Sequence, residues 1–264
     1  MRTEYETLTL DFSDDHVLTV ILDRPDAANS MNTQMGLDLR ELWADLYHDP
    51  SVARCIVLTG RGEKIFCAGG DLKQRNGMTD KEWLDQHAIF EQGVKSMMDC
   101  PIPIIGAING AAFGGGCEIA LNCDFLYAAE HARFALTEVT LGIMPGAAGT
   151  QNLPRAAGVR RAMEIILTGL PVSAGEALEY GIVNKVCPAP ELMEAVMTTA
   201  RRIAANAPIS VRQAKKSIRL ATQLDLKSGY EFEIEAYNRM VSTEDRLEGV
   251  RAFNEKRKPD FKGR

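Results

Sequence analysis

PIPIIGAINGAAFGGGCEIAL, residues Pro101 to Leu121, is the stretch whose reading decides the fold. Its first half is an apolar, β-branched run flanked by Pro and Gly, the pattern of a buried strand. The glycines at 114–116 allow a tight turn, and the residues from Glu118 through Leu121 read as the start of a short helix. A glycine-rich turn from strand to helix leaves backbone N–H groups without partners, and the helix dipole adds positive potential there. Twenty residues after Glu118 comes Glu138, inside ALTEVTLGIMPGAAGTQ (Ala135 to Gln151). Two carboxyl groups beside free backbone amides can move a proton on and off water next to a stabilised oxyanion, which is acid–base chemistry on a carbonyl compound.

Outward from this stretch, strand and helix patterns alternate. His16 to Pro25 is β-rich and stops at proline, and Ala53 to Gly60 and Asp124 to Glu130 read as further strands. Met35, Leu39, Leu42, Trp43 and Leu46 recur at helical spacing, as do Phe90, Val94 and Met97 within 80–99. The alternation predicts an α/β core. After Pro190 the pattern is almost wholly helical, over 191–207, 209–221, 224–242 and 244–257, with a break at Pro208. The expected division is a core over 1–195 that carries the active site and a helical region over 196–264.

Composition narrows the classes. A chain of 264 residues with 45% hydrophobic and 25% charged residues can bury a sizeable core as a globular protein. A net charge of −6 argues against broad nucleic-acid or anionic-membrane binding, although local basic clusters can still meet a polyanionic ligand. No apolar run reaches the length of a membrane span. The acidic first 15 residues resemble neither a signal nor a transit peptide. Cysteines 55, 67, 100, 117, 123 and 187 form no CxxC pair and read as reduced core thiols, so the expected compartment is the cytoplasm.

Each candidate site has a plain structural reading beside the functional one. Taken alone, Phe66-Cys67-Ala68-Gly69-Gly70-Asp71 is a strand-to-helix turn, Glu118 is a carboxylate welcome in a first helical turn, and Glu138 is a turn residue before Gly142. Other chemistries find little support. GxxxxGK[ST] and GxGxxG are absent, the four histidines are isolated, and neither HExxH nor GxSxG occurs. No metal site is therefore expected, and Cys67 and Cys117 read as small packing residues.

Six segments in register raise the functional reading: LDRPDAANSMN (Leu22–Asn32), FCAGGDLK (Phe66–Lys73), NGAAFGGGCEIAL (Asn109–Leu121), the run Cys123–Gln151, LTGLPVSAGEALEYGIVNKV (Leu167–Val186) and FNEKRKPDF (Phe253–Phe261). Together they resemble the crotonase superfamily, most closely the enoyl-CoA hydratases. The resemblance implies a crotonase-like spiral of repeated ββα turns with a C-terminal helical trimerisation region, forming a trimer or a dimer of trimers. It implies addition of water to a trans-2-enoyl-CoA, giving a 3-hydroxyacyl-CoA. CoA would enter as part of the substrate, with no separate cofactor. By motif position, Gly70 and Gly115 would hold the thioester oxygen, and Glu118 and Glu138 would hold the water, Glu118 activating it and Glu138 protonating the α-carbon. Ala68, Asp71, Leu72, Lys73 and Gly146 would contact the substrate, with Phe253 and Lys256 supplied by a neighbouring subunit.

Three positions depart from the family pattern: Asp26 where many members carry a lysine near CoA, Ala148 for a frequent glycine, and Asn152 for a frequent arginine. The nearest rival activity is Δ3,Δ2-enoyl-CoA isomerisation, which typically needs one carboxylate; the pair favours hydration. CoA-ester hydrolases and decarboxylases of the superfamily use other acid–base sets. An RNA-binding or scaffold role is a distant alternative that the acidic charge disfavours. Met78, Trp83, His87 and Phe90 are expected to border the acyl end.

Overall fold

The computed structural model describes residues 1–264. Ten strands form two sheets. The strands are β1 (Leu8–Phe12), β2 (Val17–Leu22), β3 (Cys55–Gly60), β4 (Ile65–Cys67), β5 (Ile104–Ile108), β6 (Ala111–Phe113), β7 (Phe125–Ala129), β8 (Arg133–Ala135), β9 (Val172–Ser173) and β10 (Lys185–Cys187). The first sheet runs β1-β2-β3-β5-β7-β10 and the second β4-β6-β8-β9. Only the β1–β2 and β8–β9 pairs are antiparallel.

Successive turns of chain give one strand to each sheet and then a helix. The helices of the core are α1 (Thr33–His48), α2 (Leu72–Arg75), α3 (Asp80–Asp99), α4 (Gly115–Asn122), α5 (Gly149–Ala157), α6 (Val159–Thr168) and α7 (Ala174–Glu179). β3 and β4 lead into α2 and α3, β5 and β6 into α4, and β7 and β8 into the segment that reaches α5. This is the expected ββα spiral. Parallel strands buried on both faces explain why β3 and β5 read as continuous apolar runs. Alternate residues serve opposite faces: Ile56, Leu58 and Ile104 join the main core with Trp43 and Phe134, whereas Val57, Ile105 and Ala107 pack on Leu192, Val196 and Ala200.

Local signals set the helix starts. Asn32 caps α1 through its side chain, and Thr79 with Glu82 forms a reciprocal capping box on α3. The C-terminal helices are α8 (Leu192–Ala204), α9 (Pro208–Leu220), α10 (Leu226–Val241) and α11 (Glu244–Asn254). The break expected at Pro208 is the first residue of α9, where its missing N–H costs nothing. Lys215 ties α9 to the core: its buried ammonium lies 2.7 Å from Asp124 Oδ2 and donates to the Ile102 carbonyl at 2.7 Å. Asp124 in turn accepts from Ile104 N at 2.7 Å, beside the start of β5.

The second sheet was not legible in the sequence. Its strands are two or three residues long, too short to show period-two alternation, and β6 lies inside what reads as a glycine turn. Helices α5 and α6 also escaped the sequence reading, and α8 ends at Ala204 rather than at 207.

Candidate active site

The site lies at the C-terminal ends of β4, β6 and β8. These strands are parallel neighbours, with Cys67 opposite Ala112 and Phe113 opposite Ala135. The segments that follow them therefore emerge side by side, the usual place for a ligand in a parallel sheet. After β4 comes Gly70, after β6 come Gly115 and Glu118, and after β8 comes Glu138.

The two glycine turns touch. Gly69 has φ +91°, and a Cβ there would lie 2.8 Å from the Phe113 carbonyl oxygen and 3.2 Å from Gly115 N. Gly114, with φ +51°, makes the turn into α4, and a Cβ on it would sit 3.3 Å from Glu138 Oε1. Gly115 opens α4, so its N–H has no acceptor in a preceding helical turn. The Gly70 N–H donates to no carbonyl, although the residues on either side are bonded to Met31: the Gly69 carbonyl accepts from Met31 N, and Asp71 N donates to Met31 O. Two amides are thus left without acceptors beside two carboxyl groups.

The carboxyl groups share a cleft but differ in their partners. Glu118 is buried on α4, and its Oε1 accepts from Ala147 N at 2.7 Å and Gly149 N at 2.8 Å. Burial raises its pKa, and the N–H groups of Gly149, Ala147 and Gly146 oppose that rise by favouring the ionised form. Glu138 is also buried, yet neither of its carboxyl oxygens has a hydrogen-bond partner. Burial pushes its pKa up to about 7, and the nearby Glu118 charge adds to the rise. Both carboxyl groups are shifted upward by burial, but only Glu118 has loop N–H donors that favour its ionised form.

Residues 13–264 match the family described as "Enoyl-CoA hydratase/isomerase". The chain belongs to that family. It is 41% identical over 256 residues to the (E)-benzylidenesuccinyl-CoA hydratase of Thauera aromatica, covering 97% of this chain and 99% of that one. It is 38% identical over 249 residues to the short-chain-enoyl-CoA hydratase of Clostridium acetobutylicum, covering 94% and 95% respectively. The crystal structure of an enoyl-CoA hydratase from Bacillus anthracis superposes with a TM-score of 0.95 at 44% identity, covering 98% of this chain and all of that chain.

In this family member the residues singled out from the sequence fall into two groups. Gly70, Gly115, Glu118 and Glu138 converge, and Gly146 joins them through the loop that holds Glu118. Exposed Ala68, Leu72 and Lys73 lie on the turn after β4 and on α2. The Asp71 carboxylate caps α2 by accepting from Lys73 N and Gln74 N, and it pairs with Arg24 at 3.0 Å. Phe253, 84% exposed on α11, and Lys256, in the turn after it, stand outside the cluster.

The sequence reading missed Ala147 and Gly149, because backbone donors carry no side-chain signature. A partial signal existed at Ala148, where the family's frequent glycine is replaced: its φ is +75°, a left-handed conformation that costs an L-residue roughly 1 kcal/mol. This turn aims both flanking N–H groups at Glu118. Asn152 also proves relevant, since it donates to Asn122 Oδ1 at 2.9 Å, and Asn122 donates to Glu118 O and Ala147 O. The substituted position therefore braces the same loop.

The electrostatics predict a stability cost. The folded chain keeps Glu138 protonated up to about pH 7, whereas an unfolded glutamate ionises near 4.5. The contribution is full below the unfolded value and is lost as pH rises through about 7. Glu138→Gln removes this pH dependence, so the variant's stability relative to the parent should rise between about pH 5 and pH 8, and at pH 8 it should melt higher than the parent. Equal melting temperatures at pH 8 would contradict the raised pKa.

Proposed function

We propose that the protein is a hydro-lyase that adds water across the 2,3-double bond of a trans-2-enoyl-CoA, giving a 3-hydroxyacyl-CoA. The observation that carries this reading is the paired carboxyl groups, one anchored by two N–H donors and one without any, beside two free glycine amides. The Gly70 and Gly115 N–H groups receive the thioester oxygen. Glu118, ionised and held through Oε1, uses its other oxygen to take a proton from water as the hydroxyl bonds to C3. The π pair of the double bond moves toward the thioester, and the two amides stabilise the resulting enolate, each by about 3 kcal/mol in comparable oxyanion holes. Protonated Glu138 then delivers its proton to C2. Proton exchange with solvent resets the pair.

CoA belongs to the substrate in this scheme, and no further cofactor is called for. The turn after β4 (Ala68, Asp71, Leu72 and Lys73) and Gly146 border the bound ester, while Phe253 and Lys256 reach the CoA of a neighbouring subunit. Within residues 196–264, the helices that follow α8 serve assembly into a trimer or a dimer of trimers. Exposed Leu226, Tyr230, Tyr237, Leu247 and Val250 on α10 and α11 supply apolar surface for such contacts.

The test follows loss of the conjugated-thioester absorbance of crotonyl-CoA. The parent enzyme should consume it rapidly, and Glu138→Gln should be slower by about a hundredfold or more. The parent's rate should fall on both sides of an optimum. The alkaline limb reports loss of the Glu138 proton and the acid limb protonation of Glu118, the pair titrating as a unit. No absorbance loss with crotonyl-CoA or with longer or branched enoyl esters would defeat the proposal.

A further inference from the structure

Arg75 is the unusual cation of this cleft. It ends α2, one turn beyond Gly70, and a Cβ placed on Gly70 would lie 3.1 Å from Arg75 Nη1. The guanidinium therefore sits beside one of the two free amides. It is partly buried, stacked over the Trp83 ring at 4.3 Å and facing the Phe90 ring at 5.6 Å. Its Nε donates to Gln86 Oε1 at 2.8 Å. No carboxylate pairs with it: burial alone lowers its pKa, with no neighbouring charge to offset the effect.

The setting is built rather than incidental. Gln86 is 3% exposed, and its amide nitrogen donates to Thr33 Oγ1 and Gln74 Oε1, each at 2.9 Å. That fixes the amide with its oxygen toward Arg75. Two aromatic rings and an oriented amide hold the planar cation while its terminal nitrogens make no hydrogen bond to the chain. Burying an unpaired guanidinium is costly, and its fork of donors matches a carboxylate. Phe90 also lines a small apolar cavity with Met31, Ile119 and Ala147, next to the loop that holds Glu118. Arg75 thus stands between Gly70 and α3, the helix whose His87 faces Gly146, and an aliphatic enoyl chain running along that helix would leave it without a partner.

The geometry points to a short 2-enoyl-CoA whose acyl group carries its own carboxylate, bound by the Arg75 guanidinium. The inference rests on the enoyl-CoA reading above and makes Arg75 a specificity-determining residue for that site. Glutaconyl-CoA is the simplest such compound. Its saturated analogue glutaryl-CoA differs from valeryl-CoA only in having a carboxylate where the other has a methyl group.

Binding of these two saturated esters to the intact protein, measured by calorimetry, tests recognition without turnover. The parent should bind glutaryl-CoA at least tenfold more tightly than valeryl-CoA. Arg75→Met should abolish or reverse that preference, and Arg75→Lys should retain part of it, because lysine keeps the charge without the fork or the stack. Loss of glutaryl-CoA preference in the parent, or equal weakening of both esters in Arg75→Met, would overturn the inference and leave Arg75 as a clamp for Trp83 and Phe90. Turnover separates the two readings. Hydration of 2-pentenoyl-CoA by a protein with no preference for glutaryl-CoA keeps the hydratase and rejects the carboxylate subsite. A strong preference for glutaryl-CoA with no hydration of either glutaconyl-CoA or 2-pentenoyl-CoA does the reverse.

Discussion

Replacing Glu118 with Gln is expected to lower kcat for crotonyl-CoA hydration by about a thousandfold, within the range for a positioned acid–base group. The Kd for the CoA ester should change by no more than about threefold, since the side chain acts on water. The substitution nearly conserves shape: Gln keeps one oxygen to accept from Ala147 N and Gly149 N, so the loop need not move. What it removes is the negative charge, and with it the ability to take a proton from water. The loss therefore belongs in kcat rather than in binding. Single-turnover kinetics with a parallel binding titration would check this. Normal turnover would remove Glu118 from its role, and a collapse in ester affinity with unchanged kcat would make it a binding residue instead.

Gly115→Val is expected to reduce kcat/KM by at least a hundredfold, by closing the place where the thioester oxygen must sit. The Gly115 Cβ position is 4.0 Å from Gly70 N and 4.0 Å from Gly69 Cα, so the added branches project between the two free amides. Within the folded protein the new Cβ overlaps mainly the Met31 methyl, the mobile end of a flexible side chain, and Gly115 is not among the glycines with positive φ. The fold should survive while the oxyanion site does not. Gly116 provides the contrast, because a Cβ there collides with the Cys67 carbonyl and would break the packing of α4 on β4. A Gly115→Val protein that melts like the parent yet binds saturated acyl-CoA esters at least a hundredfold more weakly would support the assignment. Undiminished ester affinity would count against it.

Legibility in the sequence followed element length and chemical type. The long periodic helices, the apolar strands of the first sheet and the strand–glycine–helix unit at 101–121 were readable because each carries its own pattern. Met35, Leu39, Leu42 and Leu46 mark one face of α1, and the run 104–108 is apolar throughout, as a strand buried on both sides must be. Glu118 and Glu138 stood out beside their glycine turns, and the six segments in register pointed to the family.

That these two carboxyl groups meet was beyond any local pattern. They meet because β6 and β8 are parallel neighbours in a sheet of strands only two or three residues long, which places the segments after both strands at one edge. Their different environments are tertiary as well: Glu118 gains the Ala147 and Gly149 amides from a turn some thirty residues away, and Glu138 gains none. The sequence determined which groups are present and which elements carry them. Packing decided their proximity, the raised pKa of Glu138, and the placing of Arg75 against Gly70 with two aromatic faces and no counter-ion. Desolvation and charge proximity depend on what surrounds a group in space, and neighbours in a chain do not specify that.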